Sequence, residues 1–206
     1  TAISDASSSD KIMTGLFSDL DIYGNTFNQV DSALVLDTGK SLYPSESVCV
    51  FNNTIINTLS SSLVLTSVRD TEIFNNIFSM PQSTLLETNV ATANTSQNNL
   101  RYVDNNLFWN FSALSWRLSN GSAADTTYPD LVSWNMASSH PELEANPDVN
   151  ALLDDPEFID PSSANYQLSP TSPALLAGRF GMSVGADFNF PENADAIVNA
   201  CIQRTF

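Results

Sequence analysis

Positive charge is what this chain has least of. Seven Lys and Arg stand against 23 Asp and Glu, for a formal net charge of −16 and a pI near 4.1. The only lysines are Lys11 and Lys40, and the five arginines are scattered. With no basic patch to release counterions, nucleic acid and anionic membrane surfaces are excluded as expected partners. There is one histidine, His140, set in the loop-like "SSHPEL", where a solvated or locally capping role is the ordinary one. Two cysteines, Cys49 and Cys201, allow a single disulfide in an oxidising compartment and no disulfide-built scaffold. No apolar run is long enough for a membrane-spanning helix, so no membrane insertion is expected. The chain opens on Thr1 rather than Met, which reads as a processed or excised product.

The apolar and aromatic content, 42% and 10%, is that of a folded chain, and 206 residues suit one domain with one core. Within it a short pattern returns: "IYGNTF" at Ile22, "VFNNTI" at Val50, "IFNNIF" at Ile73 and "VDNNLF" at Val103. In register, Asn25, Asn53, Asn76 and Asn106 form one column. Gly24, Asn52, Asn75 and Asn105 form the column before it, with apolar residues on either side. Gly and Asn accept a left-handed backbone at least cost, so the first column marks a recurring bend. If successive units stack about 4.8 Å apart, the Asn of the second column bonds to its equivalents above and below. A second apolar patch follows in each unit ("ALVL", "LVL", "LL", "LSWRL"), and the period is that of a solenoid. An antiparallel sandwich would turn "GN" and "NN" into hairpin tips, but it does not explain apolar columns aligned across whole units.

These units resemble the repeats of right-handed parallel β-helix proteins, the pectate-lyase-like superfamily. The second half, "YPDLVSWNM", "DDPEFIDPSSANYQLSPTSPALLAG" and "GMSVGADF", resembles the closing region of secreted members, and the likeness covers residues 15 to 190. It implies an all-β, right-handed parallel β-helix with short helical elements and a C-terminal cap, in an extracellular or cell-surface setting. The expected layout is a lead-in or severed rung over 1–12, four rungs over 13–120, closing rungs with a short helix over 121–190, and a capping tail over 191–206. Locally, "DLVSWNM" reads as a helix with Thr127 as cap, and "VGADF" as the last strand. An amphipathic spacing of Ala194, Ile197, Val198 and Cys201 suits the tail to cover the end. The other end shows no cap, so the chain is expected to be a fragment whose earlier rungs are missing, or else to have that end covered by another chain as a partner.

Function is less constrained. Lyases of this fold need a cation or Ca²⁺ together with an Arg or Lys base on one exposed strand face. Arg69, Arg101 and Arg117 are the candidates, set against the plainer reading that they pair with Asp70, Glu72 and Asp104. Hydrolases need facing carboxylates; Asp21 and Glu72 share a column with Cys49 between them, and Asp154, Asp155, Glu157 and Asp160 cluster further on. The acidic loops could bind Ca²⁺, but no calcium-loop spacing is present, and no metal or other cofactor is expected. Tyr23, Trp109 and Trp116 are candidates to stack on sugar rings, or else to fill the coil. The column Asp21, Cys49, Glu72, Tyr102 is expected to point outward, and a Cys49–Cys201 bridge would pin the tail against it. The expectation is a structural, adhesive or polysaccharide-contacting module without a complete catalytic set. Part of a polysaccharide lyase or glycoside hydrolase, or a filament-forming subunit, are the alternatives.

Overall fold

In a computed structural model of the chain, the described residues are 12–14, 18–37, 45–81, 84–89, 100–111, 114–118, 126–137 and 143–186. The recurring unit becomes a triplet of short strands. After β1 (Ile12–Thr14) come β2 (Ser18–Tyr23), β3 (Thr26–Asn28) and β4 (Leu34–Asp37), then β5 (Ser45–Phe51), β6 (Thr54–Ile56) and β7 (Leu63–Thr66). The third pass is β8 (Val68–Phe74), β9 (Ile77–Ser79) and β10 (Thr84–Asn89). The fourth is β11 (Leu100–Asp104), β12 (Leu107–Trp109) and β13 (Ser115–Leu118). Each pass gives one strand to each of three sheets, ordered β1-β4-β7-β10-β13, β2-β5-β8-β11 and β3-β6-β9-β12, and every pairing between passes is parallel. The chain is therefore all-β with stacked parallel sheets, compatible with a β-helix-like solenoid; the hairpins a sandwich requires are not what joins the passes.

Alternation along each strand sends one set of side chains into the space between the sheets. Ile22, Val50, Ile73 and Val103 lie there from one sheet, Phe27, Ile55, Phe78 and Phe108 from the second, and Leu34, Leu36, Leu63, Leu65 and Leu86 from the third, all in one buried cluster. Like residues stack on like: Phe78 and Phe108 lie parallel at 5.6 Å.

The corner between the first and second of these sets carries the asparagines. Gly24, Asn52, Asn75 and Asn105 all have left-handed backbones, with φ of 67, 49, 56 and 56°. The next residue turns inward and forms a ladder. The backbone N–H groups of Asn25, Asn53 and Asn76 donate to the side-chain oxygens of Asn53, Asn76 and Asn106 at 3.1, 3.0 and 3.0 Å. Their Nδ2 groups donate to the same oxygens at 3.0, 3.0 and 3.1 Å. Two further left-handed columns were not expected: Gln29, Asn57, Met80 and Asn110, and Asp19, Ser47 and Asp70. At the first of these the backbone is held by the neighbouring pass, Gln29, Asn57 and Met80 donating their N–H to Ile56, Ser79 and Trp109 carbonyls at 3.1, 3.0 and 2.8 Å. Stacking, not residue preference, sets that bend.

Past β13 the chain turns back as β14 (Thr126–Tyr128), antiparallel to β13, and enters helix α1 (Leu131–Asn135). Its N-cap is Asp130, whose Oδ1 accepts from Ser133 N at 2.7 Å; Thr127, the expected cap, lies inside β14 instead, bonded across to Arg117's position. The helix seats Trp134 flat against Trp116, at 5.3 Å and 8°. Residues 143–152 then continue the stack by single parallel bridges, Leu143 to Leu100 and Leu152 to Leu107.

Beyond Leu152 the chain leaves the stack, against the expectation of further rungs. A two-stranded antiparallel hairpin, β15 (Phe158–Asp160) with β16 (Asn165–Leu168), leads to a closing segment that lies on the outer side. "VGADF" is not a strand over its described residues: Val184 and Gly185 bend and Ala186 is irregular, with Val184 and Ala174 buried against Ile77 and Leu107. The first Asn of two of the "NN" pairs grips this segment. Asn52 Nδ2 donates to the Ser183 and Gly185 carbonyls at 2.7 and 3.1 Å, and Asn75 accepts from Arg179 N at 2.7 Å. Gly185 N donates to Asn75 O at 2.7 Å.

Gly185 permits this approach. Its φ is +92°, and a Cβ there would lie 2.4 Å from Ile77 Cδ1 and 2.9 Å from Thr54 Oγ1. Ile77 is fully buried, so it has nowhere to retreat. Gly185→Ala is therefore expected to cost about 1–3 kcal/mol and to free the closing segment first. Limited proteolysis that cuts within 178–186 before the stacked strands melt is the expected readout; an unchanged cleavage pattern would show the contact to be dispensable.

Candidate functional site

The parallel sheet β2-β5-β8-β11 presents two columns away from the interior: Asp21, Cys49, Glu72 and Tyr102, and Tyr23, Phe51, Phe74 and Asp104. The aromatics pile up as the sequence suggests, Tyr23 on Phe51 at 4.9 Å and Phe51 on Phe74 at 5.3 Å, with Tyr102 edge-on to Phe74 at 6.0 Å. The columns face outward but are not open. Cys49, Phe51 and Phe74 are fully buried, with Met182 of the closing segment packed on them, and Glu72 is buried as well. The column points outward as expected, and it is closed to solvent because the chain folds back over its own outer face. Cys49 is disulfide-bonded; Cys201, like His140 and the tail 191–206, lies outside the described residues.

At the rim of the covered face sits an arginine that the repeat analysis did not select. Arg179 donates through Nη1 to Glu72 Oε2 at 2.9 Å. Its guanidinium lies 4.2 Å from the Tyr102 ring centroid, 5.0 Å from that of Phe74 and 4.7 Å from that of Phe180. Arg101 approaches the other oxygen of Glu72, Nε to Oε1 at 3.8 Å. One buried carboxylate is thus shared by two half-exposed guanidiniums, each contact of this kind adding about 0.5–2 kcal/mol. The Tyr102 hydroxyl donates to Asn105 Oδ1 at 2.9 Å. Burial first, and then the Asp104 carboxylate, push its pKa up to about 12, so it stays a neutral donor.

The three arginines proposed as a basic cluster are not gathered into one. Arg69 is on β8, Arg101 on β11 beside a register shift, and Arg117 on β13 of a different sheet. Arg117 pairs with Glu87 at 3.3 Å rather than with the carboxylates expected for it. Asp104 accepts instead from Asn150, at 2.8 Å from its N–H and 2.7 Å from its Nδ2. The aromatic candidates separate too. Trp116 is fully buried between Phe108 and Trp134 and offers no face to a sugar. Trp109 is half-buried in the cluster that holds Phe158 and Leu168 of the hairpin. Tyr23 is half-buried at the end of its stack.

The acidic run of the closing region is built into turns. Asp154 accepts from Asp155 N at 2.9 Å and Asp155 from Glu157 N at 2.8 Å. Glu157 accepts from Thr171 Oγ1 at 2.6 Å. Asp160 accepts from Ser162 Oγ at 2.6 Å, and such bonds hold its carboxyl below the usual range. Among the described residues no three His, Cys, Asp or Glu side chains are placed to hold a metal ion, and no helix is long and apolar enough to cross a membrane.

One functional position escaped the sequence reading altogether. Asp148 stands where the ladder ends: Asn106 Nδ2 donates to its Oδ1 at 2.8 Å and Trp134 Nε1 to its Oδ2 at 2.9 Å. Its φ of 49° repeats the left-handed corner. The surrounding "NPDVN" reads as an ordinary turn; the available signal was an Asp following a Pro one pass after Asn106. Neither family models, nor curated proteins, nor solved structures match this chain.

Proposed function

We propose that the chain is a right-handed parallel β-helix module of the pectate-lyase-like kind, extracellular or at a cell surface, that serves as a rigid scaffold for structure, adhesion or glycan contact. The observation that carries this reading is how the polar side chains are used. The asparagines bond pass to pass, and Arg101, Arg117 and Arg179 each face a carboxylate within 4.0 Å. Groups committed in this way stiffen the stack and leave no unengaged base among the three. A glycan contact would use the rim, where Phe180 is 62% exposed beside Arg179, Tyr102 and the half-exposed Arg101.

A polysaccharide lyase is the second reading, favoured by Arg101 lying at the edge of an outer sheet face. The two are separated by incubating the chain with uronate polymers and following the absorbance of unsaturated product, alongside binding to a panel of neutral and acidic glycans. The scaffold reading expects no product, and glycan retention reduced about tenfold by Phe180→Ala. Product formation abolished by Arg101→Ala would overturn it in favour of the enzyme.

A further inference from the structure

Negative charge and exposed aliphatic side chains are concentrated in the same part of the molecule. Residues 118–178 hold nine of the chain's 23 Asp and Glu and neither a Lys nor an Arg. Within that stretch Val132, Met136 and Val149 are 66, 74 and 57% exposed. The three lie together. Val132 and Met136 stand one turn apart on α1, on the side away from the buried Trp134, and Met136 N donates to Val132 O at 3.3 Å. Asn135 ties the helix to segment 143–152, its Nδ2 donating to the Pro147 and Asp148 carbonyls at 2.7 and 2.8 Å. Met136 and Val149 each follow directly on a residue of that contact. Acidic side chains flank the three: Asp130, exposed at the N-cap two residues before Val132, and Glu144, exposed on segment 143–152. Aliphatic side chains gathered in water beside carboxylates of one sign mark an interaction surface rather than scattered exposure.

We propose that α1 and segment 143–152 form a docking surface for a basic amphipathic segment of another protein, which lays its apolar side chains on Val132, Met136 and Val149 and turns its Lys or Arg side chains to the surrounding carboxylates. Charge selects the occupant. A second copy brings a net charge of −16 against the same sign. No stretch of this chain has the required chemistry either: the closest two of its seven basic residues, Arg101 and Arg117, are 16 positions apart, and residues 187–206 hold three acidic residues against one Arg. A metal ion would engage carboxylates and leave the aliphatic side chains without a purpose, and among the described residues no three acidic, His or Cys side chains are placed to hold one. Opposite charge speeds the encounter, and contact with the aliphatic side chains holds the complex. The surface is separate from the rim at Phe180, so the proposal stands whether or not the module contacts glycans.

The test uses the intact chain and a labelled helical peptide built only of Leu and Lys, with Leu along one face and Lys along the other. Fluorescence anisotropy is expected to show saturable binding, weakened about tenfold when the chain carries Val132→Ser and Met136→Ser together, and lost when Glu replaces every Lys of the peptide. Both substituted side chains are exposed, so the variant should melt as the parent does. Equal binding to parent and variant would reduce the effect to general attraction toward an acidic molecule and overturn the proposal, as would no binding to either. Sedimentation of the chain alone as a dimer that the double substitution dissolves would name a second copy as the occupant and overturn it equally.

Discussion

Asn76→Ala is expected to cost about 3–5 kcal/mol, a large share of the roughly 5–15 kcal/mol that holds a typical domain folded. The side chain is fully buried. Its oxygen accepts from both the N–H and the Nδ2 of Asn53, and its nitrogen is within reach of Val50 O, Phe74 O and Asn106 Oδ1, at 2.9, 3.0 and 3.1 Å. Truncation strands donors and acceptors on both sides at once, where water does not replace them. Asn25→Ala removes bonds on one side only and is expected to cost about 1 kcal/mol. Denaturant titration of both variants gives the contrast that matters. Equal midpoints for the two would mean that the ladder decorates the stack without holding it.

Asp148→Ala is expected to cost about 3 kcal/mol near pH 4, since it leaves the buried Asn106 amide and Trp134 indole without acceptors. Its pH dependence is the more telling signature. Burial is the largest influence on this carboxyl and pushes its pKa from 3.8 up to about 6, against the bonds from Asn106 and Trp134 that favour the charged form; the Asp104 charge adds to the rise. A folded-state value above the unfolded one means that the native chain binds the proton more tightly. The group's contribution is complete below about pH 4 and is lost as pH rises through about 6, a swing of up to about 3 kcal/mol. The chain should melt higher at pH 4.5 than at pH 7. General repulsion at a net charge of −16 acts in the same direction, so Asp148→Asn is the control. That variant keeps one acceptor, cannot ionise, and should flatten the difference. A slope unchanged in Asp148→Asn would assign the effect to the surface.

The residues that announce the stack in the sequence do so because the constraint on them is local and repeated. A left-handed corner beside a buried amide admits few side chains, and Gly24, Asn52, Asn75 and Asn105 followed by Asn25, Asn53, Asn76 and Asn106 meet it each time. Gln29 and Met80 sit at equally bent corners but are held by neighbouring strands, so nothing in their chemistry discloses the bend. Asp148 was hidden for a related reason: one end of a ladder needs a different residue from its middle, and a single instance makes no pattern. The outer face was legible only in part, because alternation tells which side of a strand a residue occupies, not what later covers it. Cys49 and Glu72 do point away from the core, and it is the segment around Arg179 and Met182, more than a hundred residues on, that buries them. Arg179 itself lies outside the repeats, so column-by-column comparison could not raise it.

The flat apposition of Trp116 and Trp134 also gives this molecule an internal gauge. The two indoles come from different strands of the argument the chain makes with itself, one from the last parallel sheet strand and one from the helix that follows. Indole rings stacked 5.3 Å apart are expected to couple their electronic transitions, and that coupling is expected to be lost once they part. The part of the near-ultraviolet dichroism that Trp134→Phe removes therefore watches the lid of the stack, and can tell a stack that has lost its lid from one whose strands have come apart.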